Sequence, residues 1–561
     1  MKKIAKLFMA LAILLYLGSC TDDYLDINKD PNSPTTPELN QLLSGSEYYM
    51  VQAISQGNFL GEGLGSYVHH LVSREVQNYG MTPGANNPYN TWNYLYTYVL
   101  TDYDAIIANA EPEGNLIYAG VARTLKAYTF SVMVDLWGDI PFTEFNVPGQ
   151  TAPSPDSSKD IYNALISILE EGKSNLTADA ENSLKPGKDD FFYAGNVAKW
   201  VRLNNTIKLK LLLQSRKAKS DITDWQSKLN ALVAENAFIN KGEDFQFWFT
   251  SVTSPADERH PAFSSLYGQH THFISPYFYE TMMGQTYNTT DNPFTGIEDP
   301  RVPYYFYNQL PDGSRTDTES PHEYRNGNFV SIFFATTGPN SAGSNDHSYT
   351  KYGIYPIGAK YDNGTGGRIA TAKEPTGIAP HKIITFATLK FMLAELALAG
   401  EITGDAATFL EGAIEASIDH VHSVVDKNAS APNPNPAPKI SAVEREFFVN
   451  AVLARYNAAN AEGKMRIIMT QKWIHNFMSP IDVYTDYRRT GYPLFFDPNK
   501  TQDPGFGVNP TVTERSDARV PISNLASFPR SLYYPTNSET ELNPNMTQKT
   551  NLSTPFVFWD K

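Results

Sequence analysis

Apolar residues recur at helical spacing through much of the chain. Ile161, Leu165, Ile168 and Leu169 line one face of a segment that follows Asp156-Ser157-Ser158, which supplies N-cap residues. Val197, Trp200, Val201 and Leu209 mark a second helix, with Lys199, Arg202, Lys208 and Lys210 on its wetter faces. Residues 120–136 predict a helix that stops at Trp137-Gly138-Asp139-Ile140-Pro141, where glycine suits the turn. Residues 381–399 predict another that ends at Gly400, and Phe409, Leu410, Ala413, Ile414 and Ile418 predict its successor. Residues 441–459 and 464–478 predict a further pair, with Trp473 in the core beside Met465, Ile468 and Met469. Helix, short turn, helix is the arrangement of a tetratricopeptide-like scaffold, although no clean repeat of about 34 residues is visible.

From about residue 240 to 370 the pattern changes. The stretch is rich in Gly, Asn, Ser, Thr and aromatic residues, including Phe245-Gln246-Phe247-Trp248-Phe249, Tyr277-Phe278-Tyr279 and Tyr304-Tyr305-Phe306-Tyr307. A structureless loop of that length is improbable in a compact domain, so irregular, short-stranded structure packed on the helices is expected. Ala431 to Pro438 is a Pro/Asn linker, and the chain is turn-rich again from about residue 490.

The first residues follow a different logic. Lys2, Lys3 and Lys6 precede an apolar run from Leu7 to Leu17. That run is too short to span a membrane, which takes about 20 residues, and has the form of a secretory signal peptide. It ends in Leu17-Gly18-Ser19-Cys20, which resembles the lipobox of bacterial lipoproteins, where the cysteine is acylated and the chain is cut before it. Cys20 is also the chain's single cysteine. Residues 1–19 are thus read as a removed signal and 20–38 as a lipid-anchored tether. Residues 39–561 are read as one domain. In the tether, Asp26, Asn28 and Asp30 imitate an EF-hand start, but Pro31 and Pro37 stand where that loop needs Gly and Glu, so they read as Asx turns.

Net charge is −15, from 45 Lys+Arg against 60 Asp+Glu, with no long basic run, which argues against nucleic acid as a partner. Thirty-three tyrosines exceed what core packing needs and suit a ligand-facing surface. Enzyme signatures are missing: there is no G-x-S-x-G, no H-E-x-x-H and no phosphate-binding loop. His270 and His272 could chelate on a strand, whereas His420 and His422 would diverge on a helix; neither pair has a convincing third ligand, so no catalytic metal or other cofactor is expected. The Asp- and Asn-rich loops leave room for a structural calcium ion. A pair of glycosidase carboxylates among so many acids stays open.

Six blocks in order resemble the SusD/RagB family of nutrient-binding outer-membrane lipoproteins, in its second SusD-like subgroup. They are Leu25-Asp26-Ile27-Asn28 with Asp30-Pro31-Asn32, Asp135-Leu136-Trp137-Gly138-Asp139-Ile140-Pro141, Asp299-Pro300-Arg301-Val302-Pro303-Tyr304-Tyr305, Gln471-Lys472-Trp473-Ile474, Asp486-Tyr487-Arg488-Arg489-Thr490-Gly491-Tyr492-Pro493 and Tyr534-Pro535-Thr536-Asn537. These blocks read as scaffold, with Arg488 and Arg489 locking a helix end through Asp482 and Asp486. The resemblance implies a mainly α fold in which tetratricopeptide-like helix pairs support a large irregular, loop-rich binding face. It implies a non-enzymatic protein on the outer surface of a Gram-negative outer membrane, which captures an oligosaccharide and delivers it to a SusC-like TonB-dependent transporter. Peptide capture is the alternative within the family, and a surface glycoside hydrolase is the rival from another class.

The family places ligand contacts on loops of the exposed face. A sugar site needs flat aromatic faces and polar rim groups. The candidates are Gln77, Tyr79, Asn86, Asn87 and Tyr89 in a Gly/Pro/Asn loop, with Trp92 opening the next helix. Tyr267 with His270 and His272 forms a second group, and Tyr349, Tyr352 and Arg368 a third.

Replacing Cys20 by Ala is expected to abolish palmitate labelling and to release the protein from the membrane fraction, since no other stretch reaches 18 apolar residues. Retention of unlabelled Cys20→Ala protein after a salt wash, in cells lacking the transporter, would contradict this anchoring.

Overall fold

The computed structural model describes residues 37–55, 60–73, 79–81, 86–266, 272–286, 292–312, 323–334, 348–369, 375–494 and 527–561. The signal peptide, Cys20 and nearly all of the tether lie outside the described residues. The fold is mainly α-helical, and its helices pair through apolar faces. Leu116–Trp137 packs along Ser158–Thr177, which packs on Val197–Gln214; Phe386–Leu398 packs on Ala406–Ala429; Ala442–Ala458 packs on Ala461–His475.

Local chemistry sets these boundaries. The Ser157 hydroxyl accepts from the Asp160 amide at 3.2 Å, satisfying a first-turn donor. Ser441 and Glu444 form a reciprocal capping box. Leu116–Trp137 is buried almost all round and therefore needs no polar stripe. Gly120 allows its backbone close to the neighbouring helix: an added Cβ would lie 2.7 Å from Leu176 Cγ and 2.8 Å from the Gly172 carbonyl oxygen. The helix stops at Gly138, φ 81°, where a side chain would run into the Phe556 carbonyl.

The segment 381–399 is only partly the helix its pattern predicts. Pro380–Ile384 is a strand paired antiparallel with Phe245–Trp248, with Trp248 opposite Pro380 and Phe247 opposite His381. The helix starts at Phe386, where the Thr385 hydroxyl caps the Thr388 amide at 3.1 Å and Asp244 accepts from the Phe386 amide at 2.6 Å. A short run with β-branched Ile383 and Ile384 satisfies both templates, and pairing with an aromatic strand decides. Through the stretch 240–370 the expected short strands are present, each in a two-stranded pair: Leu71–Ser73 with His272–Ile274, Phe306–Tyr307 with Lys351–Tyr352, and Glu323–Asn326 with Phe329–Ile332.

The sequence blocks meet in a buried charge network. Arg489, on the helix Pro480–Thr490, holds both carboxylate oxygens of Glu395 and reaches Asp486 at 2.8 Å. Lys472 binds Asp486 at 2.6 Å. Arg488 donates to Asp560 at 3.1 Å and to the Asp135 carbonyl, while Asp135 accepts from Tyr162 and, at 3.0 Å, from Trp559. Burial would raise the Glu395 carboxyl, but the Arg489 and Arg216 charges outweigh it and hold it below the usual range. Arg301 is buried between Asp299, Ser417 and Gln471. Arg488 and Arg489 thus lock far more than one helix end.

Five histidines, His69, His70, His260, His381 and His420, are buried, and burial pushes each down to about 3. As pH falls below about 6.5 the unfolded chain therefore takes up protons that the native chain refuses, which favours unfolding. Asp102, Asp135 and Asp244, pushed up to about 6 by burial, and Glu47, Asp362 and Glu539, raised by it, act in the opposite sense; the buried His475, lowered like the other five, and carboxylates held below the usual range, such as Glu395, Asp419 and Asp486, offset them. Stability is expected to fall as pH drops from about 6.5 towards 3, each histidine contributing about 1.4 kcal/mol per pH unit. Thermal melts followed by circular dichroism across that range check this; an unchanged melting temperature down to about pH 4 would contradict it.

Candidate functional site

The described candidates from the sequence do not form one cluster, and most are engaged in packing. Tyr79, at φ 58°, is buried against His69, Phe334 and Phe528, and its hydroxyl meets His69 Nε2. Tyr349 is buried with its ring 4.5 Å from Phe273, and its carbonyl accepts from Gln309 at 2.8 Å. Tyr352 is buried beside Phe477. These rings surround the Leu71–Ser73/His272–Ile274 pair, at whose edge His272 Nδ1 lies 3.1 Å from Glu62. Trp92 lies in the core, 2% exposed, edge-on to Trp137 and Tyr534, and its indole donates to Glu539 at 3.0 Å. Tyr79, Trp92, Tyr349 and Tyr352, expected as stacking platforms, are therefore covered by protein and present no open ring face in this structure. Tyrosine composition says nothing about which way a ring points, and these rings found apolar neighbours.

Asn86, Asn87 and Tyr89 belong to the helix Asn86–Tyr94, which begins six residues before Trp92 rather than at it. Tyr89 is half-buried and Arg368 is exposed. Gln77, Tyr267 and His270 lie outside the described residues. His420 and His422 diverge as their spacing requires: His420 Nε2 meets Gln246 Oε1 at 2.7 Å, and His422 Nε2 accepts from the Ile440 amide at 3.0 Å. Among the described residues no group of three or more His, Cys, Asp or Glu could hold a metal ion.

An open cleft of about 770 Å³ lies elsewhere on the aromatic stretch. Its walls are Tyr48 and Gln52 from the helix Leu39–Ile54, Phe191 from a loop, Phe247 to Thr250 from the strand and its exit, and Ala256 to Pro261 with Phe263 from the following turn. Strand alternation divides the aromatic run. Gln246 and Trp248 face the helix Ala406–Ala429, where Gln246 meets His420 and Lys427 sits 5.2 Å over the Trp248 ring. Phe245, Phe247 and Phe249 take the other side; Phe245 is sealed in the core, and Phe247 meets Phe191 and Phe249 edge-on at 5.8 and 5.2 Å. Phe191 and Tyr48 are each 45% exposed, so rings that elsewhere would be covered stay in contact with solvent.

The rim is polar. Thr250 donates to Glu258 at 2.7 Å, and backbone bonds between Thr250 and Glu258 and between Glu258 and Val252 close the turn. Asp257 accepts from Arg259 at 2.8 and 2.5 Å, and this contact holds its carboxyl below the usual range. A general acid for glycoside cleavage needs the opposite shift. His260, kept neutral by burial, accepts from the Ala262 amide through Nδ1 at 3.2 Å, which leaves its proton on Nε2. Apolar ring surface with a few carboxylate, hydroxyl and amide groups at the edge is the chemistry of a hydroxylated, partly apolar ligand.

The sequence reading missed Tyr48, Phe191, Phe247 and Trp248. The Phe-Gln-Phe-Trp-Phe run carried the signal, since such an aromatic density exceeds what one strand face can bury. Tyr48 and Phe191 carried none, because only the fold brings them to that strand.

Paired helices carrying an open aromatic cleft form a mainly helical scaffold with one irregular face. A family model described as SusD-like, starch-binding and associating with the outer membrane matches residues 31–510, and the chain belongs to this SusD-like family. No curated protein matches the chain. Among solved structures, a chitin-binding protein superposes with a TM-score of 0.66 at 19% identity, covering 93% of this chain and 100% of that one. A SusD homolog from Bacteroides fragilis gives 0.64 at 17% identity, covering 94% and 99%. A chitin-binding SusD homolog from Flavobacterium johnsoniae gives 0.60 at 19%, covering 92% and 98%. At these identities the likeness establishes the fold. Among the described residues no helix is long and apolar enough to cross a membrane.

Trp92→Ala is expected to destabilise the fold by about 3–5 kcal/mol, as loss of a buried tryptophan from a packed core does. Denaturant unfolding monitored by circular dichroism tests this; a loss below about 1 kcal/mol would mean that the ring is not core.

Proposed function

We propose that this protein is a cell-surface glycan-binding lipoprotein. It captures an oligosaccharide and delivers it to a SusC-like TonB-dependent transporter in the outer membrane. Membership of a starch-binding, outer-membrane-associated family supports the setting. The observation that carries the ligand class is the cleft walled by the rings of Tyr48, Phe191 and Phe247 beneath a rim of Asp257, Glu258 and Arg259. The rings cover the apolar faces of sugar residues and the rim groups meet their hydroxyls. In this reading Cys20 carries the lipid that holds the protein on the extracellular face, and residues 39–561 act as one binding domain. The protein is not an enzyme. A capture protein must also release its cargo, so a Kd of about 1 μM to 1 mM suits the task.

Titration calorimetry with maltooligosaccharides and chitooligosaccharides tests the reading; the second series is included because two structurally similar proteins are described as chitin-binding. Phe191→Ala and Phe247→Ala should each weaken binding about fivefold or more, since an aromatic contact contributes on the order of 1 kcal/mol beyond its buried area. New reducing ends after prolonged incubation would replace the capture reading with hydrolysis. Wild-type affinity in both folded variants would remove the cleft as the site.

A further inference from the structure

Beside the cleft lies a second aromatic surface with its own construction. Tyr48, one wall of the cleft, touches Tyr49 edge-on at 5.6 Å. Tyr49 stacks on Tyr98 at 5.0 Å and 29°, and both meet Tyr94, at 5.7 and 5.3 Å. Tyr49 and Tyr98 are 36% and 41% exposed. The first two tyrosines lie on the helix Leu39–Ile54. The other two belong to the helical run Asn86–Ala110, in which Leu95–Leu100 forms a π-helical turn.

That wide turn has a consequence for the surface. An inserted residue shifts the helical register, so Leu95, Val99 and Leu100 are buried while Thr97 and Tyr98 are turned outward. One helical turn further along each helix, Gly45 faces Asp102, whose carboxylate oxygen lies 3.9 Å from where a Gly45 Cβ would be. Asp102 is half-buried, yet its carboxylate has no hydrogen-bond or ion-pair partner among the described residues, and burial pushes it up to about 6. The hydroxyls of Tyr48, Tyr49 and Tyr98 likewise have no hydrogen-bond partner there. Open rings, unused hydroxyls and an unused carboxylate beside a small residue are arranged in one line that starts at the cleft.

We propose that this tyrosine ridge is a second glycan-contact surface, continuous with the cleft through Tyr48, which holds sugar residues of a chain longer than the cleft accommodates. Tyr48 meets Tyr49 edge-on and Tyr49 stacks on Tyr98, so the exposed parts of these rings form one aromatic surface that a chain leaving the cleft can follow. Asp102 at the far end accepts hydrogen bonds from hydroxyls. The ligand class is a neutral oligosaccharide, because the ridge is tyrosine rings and the Asp102 carboxylate, with no Lys or Arg over those rings among the described residues. This inference rests on the reading of the cleft as a glycan site, and the test separates the two.

The purified full-length mature chain is titrated with chitotriose and chitohexaose, and with maltotriose and maltoheptaose. Wild type should bind the longer member of one pair more tightly. The double variant Tyr49→Ala/Tyr98→Ala should weaken binding of that longer member about fivefold or more and leave the trimer within twofold, whereas Phe247→Ala should weaken both. Tyr98→Gln alone, at an exposed helix position, guards against damage to the scaffold and should show the same selectivity for the long chain in smaller degree. Undiminished long-chain binding by folded double variant overturns the proposal, and if that variant instead loses association with the transporter in membranes, the ridge is a protein interface. Trimer binding that depends on the ridge but not on Phe247 also overturns it, since the ridge would then be the main site and the cleft reading would fail. Absence of wild-type binding to all four sugars removes both.

Discussion

A guanidinium keeps its proton at every physiological pH, so burying one dictates where an acid must be. Arg301, Arg488 and Arg489 are all buried, and each has met that demand with a carboxylate: Asp299, Asp560 and Glu395. The arrangement joins elements far apart in the chain. Glu395 belongs to the helix Phe386–Leu398, Arg489 to Pro480–Thr490, and Arg488 also binds the carbonyl of Asp135 on Leu116–Trp137. Removing one partner of such a pair strands a charge at a cost of about 3–5 kcal/mol, whereas the intact pair adds little net stability over apolar packing. Its contribution is therefore to geometry: the helix pairs can dock in one arrangement and few others.

The rigid side of the molecule permits the open side. Phe247 and Trp248 stay partly uncovered because their strand is held by Pro380–Ile384, by Gln246 against His420, and by the ammonium of Lys427 over the indole. Phe245 in the same strand is fully sealed against Phe192 and Tyr128. One strand thus carries both a core anchor and a ligand wall. Exposed aromatic area is a liability in solution, and it persists here because the backbone beneath it has no freedom to fold the rings inward.

How far the sequence discloses this depends on the range of the interaction. Local signals were readable. The cap at Ser157 lies within three residues of its partner, and the stop at Gly138 is written in one dipeptide. The role of the blocks around Trp137, Arg301, Trp473 and Arg489 as scaffold was also readable from their residue types. Trp473, expected in the core, is buried with its indole donating to the Val68 carbonyl at 2.9 Å. What failed was choosing among tyrosines. Tyr79, Tyr349 and Tyr352 sit in Gly-, Asn- and Ser-rich surroundings that look exposed, yet each ring is covered by residues distant in the chain. The reverse holds for Tyr48, which sits in a helix whose apolar spacing looks like plain core. For a residue with an apolar body and a polar tip, spacing fixes the face of its own element but not what covers that face.

The antiparallel pairing of Phe245–Trp248 with Pro380–Ile384 bears on how the molecule becomes competent. The wall of the cleft is finished by a strand made more than a hundred residues later, followed at once by the helix that carries Glu395. A chain that has assembled its early helices alone has no wall to offer. Under the proposed function, ligand and completed fold are therefore thermodynamically linked: a glycan bound in the cleft would stabilise the assembled state and no partial one, in proportion to the logarithm of its concentration over its Kd. On that proposal the empty protein is the easier one to unfold, and capture restores it.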